Sequence, residues 1–207
     1  MRTLNKSVLF DLDGVLVDAC EWHYEALNKA LYQISDYTIS KDDHDIKFNG
    51  LPTKKKLNML VDLMIVRECD IPKILECKQE YTIQYIEEFC KYSNSKVTMM
   101  NALKDMGYKI GCVTNCIRQT AELMLKKTGI ISYFDIIITN EDCRYNKPHP
   151  EPYIKALVEL NSLPENSIIV EDSIKGLEAA RMTGCVVVEV EDSTQVTKKI
   201  FEGGDRI

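Results

Sequence analysis

The sequence predicts an α/β protein in which a parallel sheet core is interrupted by an inserted helical domain. Three observations support this. Short segments rich in Val and Ile alternate with amphipathic segments over the second half of the chain, which is typical of strands separated by helices. Polar and charged side chains follow four of the short segments. Residues 19–93 have helical periodicity and contain no convincing strand.

Five short segments have the composition of buried parallel strands. Each has four to six residues, is rich in apolar and β-branched side chains, and is bounded by turn residues. The predicted strands are Ser7–Asp11, Lys109–Thr114, Phe134–Thr139, Ser167–Val170 and Cys185–Val190.

Helical patterns separate these strands, and glycines follow three of the helices at the expected position of a C-terminal cap. The predicted helices are Met99–Met106, Gln119–Lys127, Glu151–Leu160 and Ile174–Met182, and the glycines are Gly107, Gly129 and Gly184. This alternation predicts a Rossmann-like, doubly wound parallel sheet.

The insertion follows the first strand. It contains several predicted helices with breaks near Asp36–Ser40, Asn49–Pro52 and Asp70–Pro72. A segment of this length exceeds an ordinary crossover connection. We therefore predict a Rossmann-like core formed by residues 1–18 and 94–207, and an α-helical cap domain formed by residues 19–93.

Composition excludes several classes of partner. The net charge of −6 and the pI near 5.2 argue against binding to nucleic acid or to an anionic membrane surface. The apolar segments are shorter than the roughly 18 residues of a membrane span. The eight cysteines are scattered without a CxxC pair, and the first residues lack an apolar signal core, which favours a reducing cytoplasm. We expect a monomer or a weak homodimer.

Candidate functional residues follow the predicted strands. Ligands of an open parallel sheet bind beyond the carboxyl ends of its strands, so the residues at those ends are expected to meet. They include carboxylates, a hydroxyl, an amide and a lysine, namely Asp11, Asp13, Thr114, Asn115, Lys147, Glu171 and Asp172.

These residue types suit phosphoryl transfer. Phosphate monoesters hydrolyse so slowly that catalysts supply rate factors of up to about 10²¹. A carboxylate nucleophile can divide the reaction into two steps through an aspartyl-phosphate. Mg²⁺ prefers carboxylate and phosphate oxygens, and it would reduce the repulsion between the two anions. A lysine and a hydroxyl can bind the remaining phosphoryl oxygens.

Four segments, in order, resemble the signatures of the haloacid dehalogenase-like hydrolase superfamily, in the subgroup with a helical cap after the first strand. The segments are Asp11–Asp18 (DLDGVLVD), Val113–Asn115 (VTN), Lys147–Pro152 (KPHPEP) and Glu171–Gly176 (EDSIKG). The resemblance spans essentially the whole chain. The first signature alone is moderate evidence, since calcium loops also carry DxDG.

The resemblance implies roles for the four acidic residues. Asp11 would be the nucleophile and a Mg²⁺ ligand. Asp13 would be the general acid and base, with its backbone carbonyl on the metal. Asp172 would be the second carboxylate on the metal, and Glu171 would bind it directly or through water.

The resemblance also implies phosphate-binding residues. Thr114 and Lys147 would bind the transferring phosphoryl group, with Asn115 supporting them. An acid at Asp13 favours phosphate esters, because the dehalogenases of the superfamily lack an acid there and its phosphonate hydrolases carry a small residue.

Four residues of the predicted cap are candidate substrate contacts. His23 matches a histidine that is common in sugar-phosphate members of the family, although packing within the cap explains it equally well. Thr53 and Lys54 belong to a loop that faces the active site in such enzymes, and Lys78 is a further cap lysine. A tight turn and a solvated helix face are the alternatives for these three residues.

The sequence thus predicts a Mg²⁺-dependent phosphatase that acts on a small phosphorylated metabolite, with a sugar phosphate favoured. A beta-phosphoglucomutase-like phosphomutase is the alternative. The arginine that such mutases carry in the cap loop is absent, and Thr53 lies near that position. A non-catalytic binding protein on the same fold is more distant, because Asp11, Asp13, Lys147 and Asp172 are all present.

Overall fold

The computed structural model describes residues 5–201 of the chain. The described chain divides into two compact units. The sheet unit comprises the chain up to Asp18 and from Lys91 onward, and the helical unit comprises Ala19–Cys90.

The sheet unit contains five parallel strands in the spatial order β3-β2-β1-β4-β5. The strands are β1 (Asn5–Phe10), β2 (Lys109–Val113), β3 (Ile136–Ile138), β4 (Ser162–Glu171) and β5 (Val186–Glu189). The strand order reverses beside β1, which pairs with β2 through Val8 and Ile110 and with β4 through Val8 and Ile168. Ligands of doubly wound sheets bind at such a reversal. The predicted fold class is confirmed.

Eight α-helices occur in the described part of the chain. They are α1 (Cys20–Ser35), α2 (Lys41–Asp43), α3 (Thr53–Asp62), α4 (Ile71–Phe89), α5 (Asn94–Asp105), α6 (Arg118–Thr128), α7 (Glu151–Glu159) and α8 (Ile174–Arg181). A five-residue π-helical turn, His44–Phe48, continues α2. No helix within residues 5–201 is both long enough and apolar enough to cross a membrane.

Two elements of the sheet unit, β4 and α5, each begin five residues earlier than predicted. β4 starts at Ser162 because Asn5 pairs with Ser162, and a register shift then separates this pair from the pair Ser7 and Ser167. The helix predicted from Met99 begins at Asn94, because the side chain of Ser93 caps it by accepting a hydrogen bond from the amide of Lys96 at 3.4 Å.

The helical unit has a hydrophobic core of its own. Side chains from α1, α3 and α4 meet in it at helical spacing, which buries one face of each amphipathic helix. Its most buried members include Leu27, Leu31, Leu57, Leu60 and Ile74.

The helix break expected near Asp70–Pro72 lies slightly earlier in the chain. A short 3₁₀ turn, Glu68–Asp70, runs directly into α4, and Pro72 lies in the first turn of that helix. A proline is tolerated there because the first amides of a helix have no partner within it. The break lies instead between α3 and the 3₁₀ turn, where Met64 has a positive φ of 57°.

Candidate active site

A buried lysine joins two carboxylates at the carboxyl ends of β1 and β4. The Nζ of Lys147 lies 2.6 Å from Oδ1 of Asp11 and 2.6 Å from Oε1 of Glu171. Lys147 is 3% exposed. Burial alone would lower the pKa of Lys147, but the two carboxylates outweigh burial and hold that pKa above its usual value. The lysine is therefore a fixed positive charge within the site.

The carboxylate of Glu171 is fully buried and has several donors. Its Oε1 also accepts a hydrogen bond from the hydroxyl of Tyr153 at 3.0 Å. Its Oε2 accepts from the backbone amides of Asp172 and Ser173 at 2.9 and 3.0 Å, and from the Ser173 hydroxyl at 3.2 Å. A methyl group at Gly176 would overlap this carboxylate, so α8 needs a glycine there.

Asp172 has an oxygen that lacks a partner. Among the described residues, nothing forms a hydrogen bond with its buried Oδ1. Burial and the neighbouring carboxylate of Glu171 raise the pKa of Asp172 to about 7, against the opposing effect of Lys147. Gly14 has a φ of +85°, and a methyl group there would overlap the Asp172 carboxylate.

Asp11, Glu171 and Asp172 form an acidic cluster that could hold a metal ion. One oxygen from each lies within 4.8 Å of the others. Hard cations such as Mg²⁺ take carboxylate oxygens, and a bound cation would satisfy the unpartnered oxygen of Asp172. The arrangement therefore fits a divalent cation.

The pKa of the Asp11 carboxylate lies well above its usual value. Burial raises its pKa, Lys147 opposes this, and the carboxylates of Glu171, Asp172 and Asp13 raise it further. A divalent cation in the cluster would favour the ionised form.

Asp13 lies on the turn after β1, within the sheet unit. The backbone amide of Val17 donates to the carbonyl of Leu12 at 3.0 Å, and the amide of Gly14 donates to the carbonyl of Val17 at 2.8 Å. The thiol of Cys116 donates to Oδ2 of Asp13 at 2.9 Å. The closed turn and this contact fix the position of the carboxylate.

Thr114 and Asn115 follow β2 and approach the Lys147 segment. The side-chain amide of Asn115 donates to the carbonyl of Lys147, and the amide of Lys147 donates back to Oδ1 of Asn115, both at 3.2 Å. The hydroxyl of Thr114 accepts from the amide of Cys116 at 3.0 Å. Asn115 thus holds the backbone of Lys147 through two hydrogen bonds.

The four cap candidates lie in the helical unit. The half-buried side chains of His23, on α1, and Lys78, on α4, approach to 3.1 Å between Nδ1 and Nζ. The side chain of Lys78 is therefore not fully solvated, in contrast to the alternative interpretation of Lys78 as part of a solvated helix face. Thr53 is the first residue of α3, and Lys54 is exposed on the same helix.

Sequence reasoning missed Tyr153. Its side chain is fully buried, and the ammonium of Lys147 lies 4.6 Å from the centre of its ring. Its only signal was its position six residues after the lysine, near the start of the next helix. Spacing of this kind does not distinguish a packing tyrosine from one that binds a carboxylate.

A family model described as haloacid dehalogenase-like hydrolase matches residues 8–190. This range includes β2 to β5, the last three residues of β1 and the whole acidic cluster. The chain belongs to this family. The match confirms the predicted family and with it a hydrolase of the phosphatase and phosphomutase type.

Among curated proteins, this haloacid dehalogenase-like hydrolase is similar to pyrophosphatase PpaX from Bacillus mycoides. The two are 30% identical over 186 residues, which cover 89% of this chain and 82% of that protein. PpaX from Bacillus thuringiensis is 29% identical over 184 residues, covering 87% and 82% of the two chains.

Solved structures of related hydrolases share the fold. A beta-phosphoglucomutase from Clostridium difficile has a TM-score of 0.82 at 23% identity, over 96% of both chains. A CbbY variant from Rhodobacter sphaeroides, in complex with xylulose-(1,5)bisphosphate, has a TM-score of 0.81 at 22% identity, over 98% of this chain and 93% of that chain.

Proposed function

We propose that this protein is a Mg²⁺-dependent phosphatase that hydrolyses a small phosphorylated metabolite of the sugar-phosphate class through an aspartyl-phosphate on Asp11. The observation that carries the proposal is the buried ammonium of Lys147, 2.6 Å from Asp11, in a site where Asp11 also clusters with Asp172 and its unpartnered oxygen. A fixed cation and a metal-binding cluster around one buried carboxylate allow that carboxylate to approach an anion.

In the first step, an oxygen of Asp11 attacks the phosphorus atom and the bond to the leaving oxygen breaks. The electron pair of that bond goes to the leaving oxygen, which takes a proton from Asp13. The charge of Lys147 compensates the negative charge of the phosphoryl group throughout the step. In the second step, Asp13 accepts a proton from water and the water oxygen attacks the phosphorus atom of the aspartyl-phosphate. The bond between phosphorus and the Asp11 oxygen breaks, its electron pair returns to the Asp11 carboxylate, and phosphate leaves.

The metal ligands would be the carboxylates of Asp11 and Asp172 and the backbone carbonyl of Asp13. When bound, Mg²⁺ would reduce the repulsion between the phosphate group and the attacking carboxylate. Glu171 is less available as a direct ligand because five donors already share its two oxygens. We assign Glu171 the role of holding Lys147 in place, with any contact to the metal made through water.

Thr114 would bind a phosphoryl oxygen. Its hydroxyl already accepts the amide of Cys116, so its own hydrogen remains available for donation. Asn115 would act through the backbone of Lys147, which it holds with two hydrogen bonds.

The helical unit would serve as the cap that selects the substrate. His23 and Lys78 lie on adjacent helices. The ammonium of Lys78 can donate hydrogen bonds, and the ring of His23 can donate or accept them, which suits hydroxyl or phosphate groups of a substrate. Thr53 and Lys54 remain candidate contacts at the start of α3. A cytoplasmic location and a monomeric or weakly dimeric state stay predictions from the sequence.

A pyrophosphatase is a second candidate, because the curated relatives named PpaX carry that activity in their name at up to 30% identity. Inorganic pyrophosphate would use the same nucleophile and lysine but would need no sugar contacts. The phosphomutase alternative also stays a proposal. Conversion of glucose 1-phosphate into glucose 6-phosphate without phosphate release would support the mutase.

The proposal is tested by measuring phosphate release in the presence of Mg²⁺ and in the presence of EDTA. The substrates are sugar phosphates, nucleotides, two-carbon phosphates and pyrophosphate. We expect turnover that needs the metal and is lost in Asp11→Asn. Asp105→Asn, which changes an exposed carboxylate on α5, is the matched control and should retain activity. Turnover of equal rate in EDTA, or near-normal rates in Asp11→Asn, would contradict the proposal.

A further inference from the structure

Lys96 is a buried lysine that the proposed chemistry does not use. It lies on α5 and is 5% exposed. Its Nζ donates to three backbone carbonyls, those of Val15 at 3.0 Å, Ser193 at 2.6 Å and Val196 at 2.9 Å. An ammonium group has three hydrogens, so these three bonds use its full donor capacity.

Burying this charge is unfavourable. Burial lowers the pKa of Lys96 to about 8, and the carboxylate of Asp192 only partly opposes that effect. A methionine would fill similar space without the desolvation cost. The benefit that offsets the cost must therefore come from joining two segments that are far apart in sequence, one with the carbonyl of Val15 and one with those of Ser193 and Val196.

One of those carbonyls belongs to the turn that carries Asp13. The turn is closed internally, since the amides of Leu16 and Val17 both donate to the carbonyl of Leu12 at 2.9 and 3.0 Å. The carbonyl of Val15 takes no part in these bonds and accepts a hydrogen bond from Lys96 instead. The other two carbonyls lie in the segment after β5, around the 3₁₀ turn Ser193–Gln195.

We propose that Lys96 is a positioning residue for Asp13, because its ammonium ties the turn that carries this carboxylate to the segment after β5. The inference rests on the proposed function, in which Asp13 protonates the leaving oxygen. Lys96 would act through the turn, without touching the substrate.

Loss of the ammonium would leave the turn without its anchor. In Lys96→Met, three carbonyls lose their hydrogen bond to the ammonium, and the Val15 carbonyl can turn away to bind water. Small misplacements of a catalytic group can cost about 100-fold in rate. The loss should appear only where the leaving oxygen needs a proton.

The test is a series of phosphate monoesters with leaving groups of different pKa, measured as kcat/KM, which reports the steps up to departure of the leaving group. We expect Lys96→Met to lose roughly 10- to 100-fold on an alkyl phosphate and less than about threefold on p-nitrophenyl phosphate. Lys126→Met removes an exposed lysine on α6 and should match the wild type on both substrates.

Two further variants separate the possible failures. Asp13→Asn should show the same selective loss, and adding Lys96→Met to it should cause little further loss on the alkyl phosphate. If Asp13→Asn shows no leaving-group dependence, the proposed role of Asp13 fails. If Asp13→Asn shows a leaving-group dependence but Lys96→Met lowers kcat/KM equally on all substrates, only the proposed role of Lys96 fails.

Lys96→Gln keeps the experiment decisive if Lys96→Met does not fold. Its amide retains two donors without the charge, so we expect an intermediate leaving-group dependence. A folded Lys96→Gln protein with a uniform loss across the series, or with no loss, would overturn the inference.

Discussion

The ammonium of Lys147 lies 2.6 Å from the carboxylate of Asp11, although the two residues are 136 positions apart in sequence. The same ammonium lies equally close to Glu171. Two buried carboxylates are thus held near one another by a single lysine. Removal of that lysine would leave both charges buried without a counterion.

We therefore predict that Lys147→Met lowers the free energy of unfolding by about 3 kcal/mol at pH 8. The loss should be smaller at pH 5, because protonation relieves the repulsion between the carboxylates. Urea unfolding at the two pH values measures this, with Lys126→Met as the exposed control. An identical loss at both pH values would show that the carboxylates do not cause it.

Asp172→Asn should stabilise the metal-free protein while removing its response to metal. The pKa of Asp172 rises from 3.8 to about 7 on folding, so between these values the unfolded chain binds fewer protons and stability falls as pH rises. The substitution removes this penalty, which is on the order of 4 kcal/mol at pH 8.

Thermal unfolding at pH 8, with and without Mg²⁺, measures both effects. The wild type should gain stability from Mg²⁺, and Asp172→Asn should gain little. Asp105→Asn should behave as the wild type does. A metal-dependent shift that survives in Asp172→Asn would exclude this carboxylate as a ligand.

Tyr153→Phe should weaken the support of Lys147 without opening a cavity. The variant loses the hydrogen bond to Glu171 but keeps the ring beneath the ammonium. We expect a loss of about 1 kcal/mol in stability and a several-fold drop in kcat. The control is Tyr133→Phe, which removes an exposed hydroxyl that donates to Asn101. Equal effects of the two substitutions on kcat would refute the role of Tyr153.

The buried charge of Lys96 predicts a pH dependence of stability. Its pKa falls to about 8 in the folded protein from 10.5, so between these values the unfolded chain binds a proton that the folded chain lacks. Stability therefore rises with pH in that window. The free energy of unfolding of the wild type, relative to that of Lys96→Met, should rise by about 2 to 3 kcal/mol from pH 7.5 to pH 10.5. If the difference in the free energy of unfolding between the two proteins stays constant over this pH range, the pKa of Lys96 is not lowered by folding.

The parts of the site that were predicted lie in short segments at the ends of strands. Asp11 follows β1 and Asp172 follows β4, and parallel topology brings such ends to one edge of the sheet. Apolar runs located the strands. The start of β4 moved by five residues, where its pairing is irregular, and the other strand boundaries moved by at most two residues.

The residues that were missed act across long sequence separations. Lys96 and Val15 are 81 residues apart, and nothing local distinguishes a lysine that binds buried carbonyls from one on a solvated helix face. Tyr153 likewise looks like any core aromatic. The break expected near Asp70–Pro72 lies slightly earlier for a local reason, since proline is compatible with the first turn of a helix as well as with a turn.

The most direct test of the account is to trap phosphate on Asp11. Asp13→Asn, mixed with p-nitrophenyl phosphate and Mg²⁺ and quenched in acid within milliseconds, should carry phosphate on the peptide that contains Asp11, because loss of the base slows hydrolysis of the aspartyl-phosphate more than its formation. Peptide mass spectrometry locates the group, and hydroxylamine should release it. Phosphate on another residue, or steady turnover by the wild type with no phosphate trapped in either protein, would contradict the account.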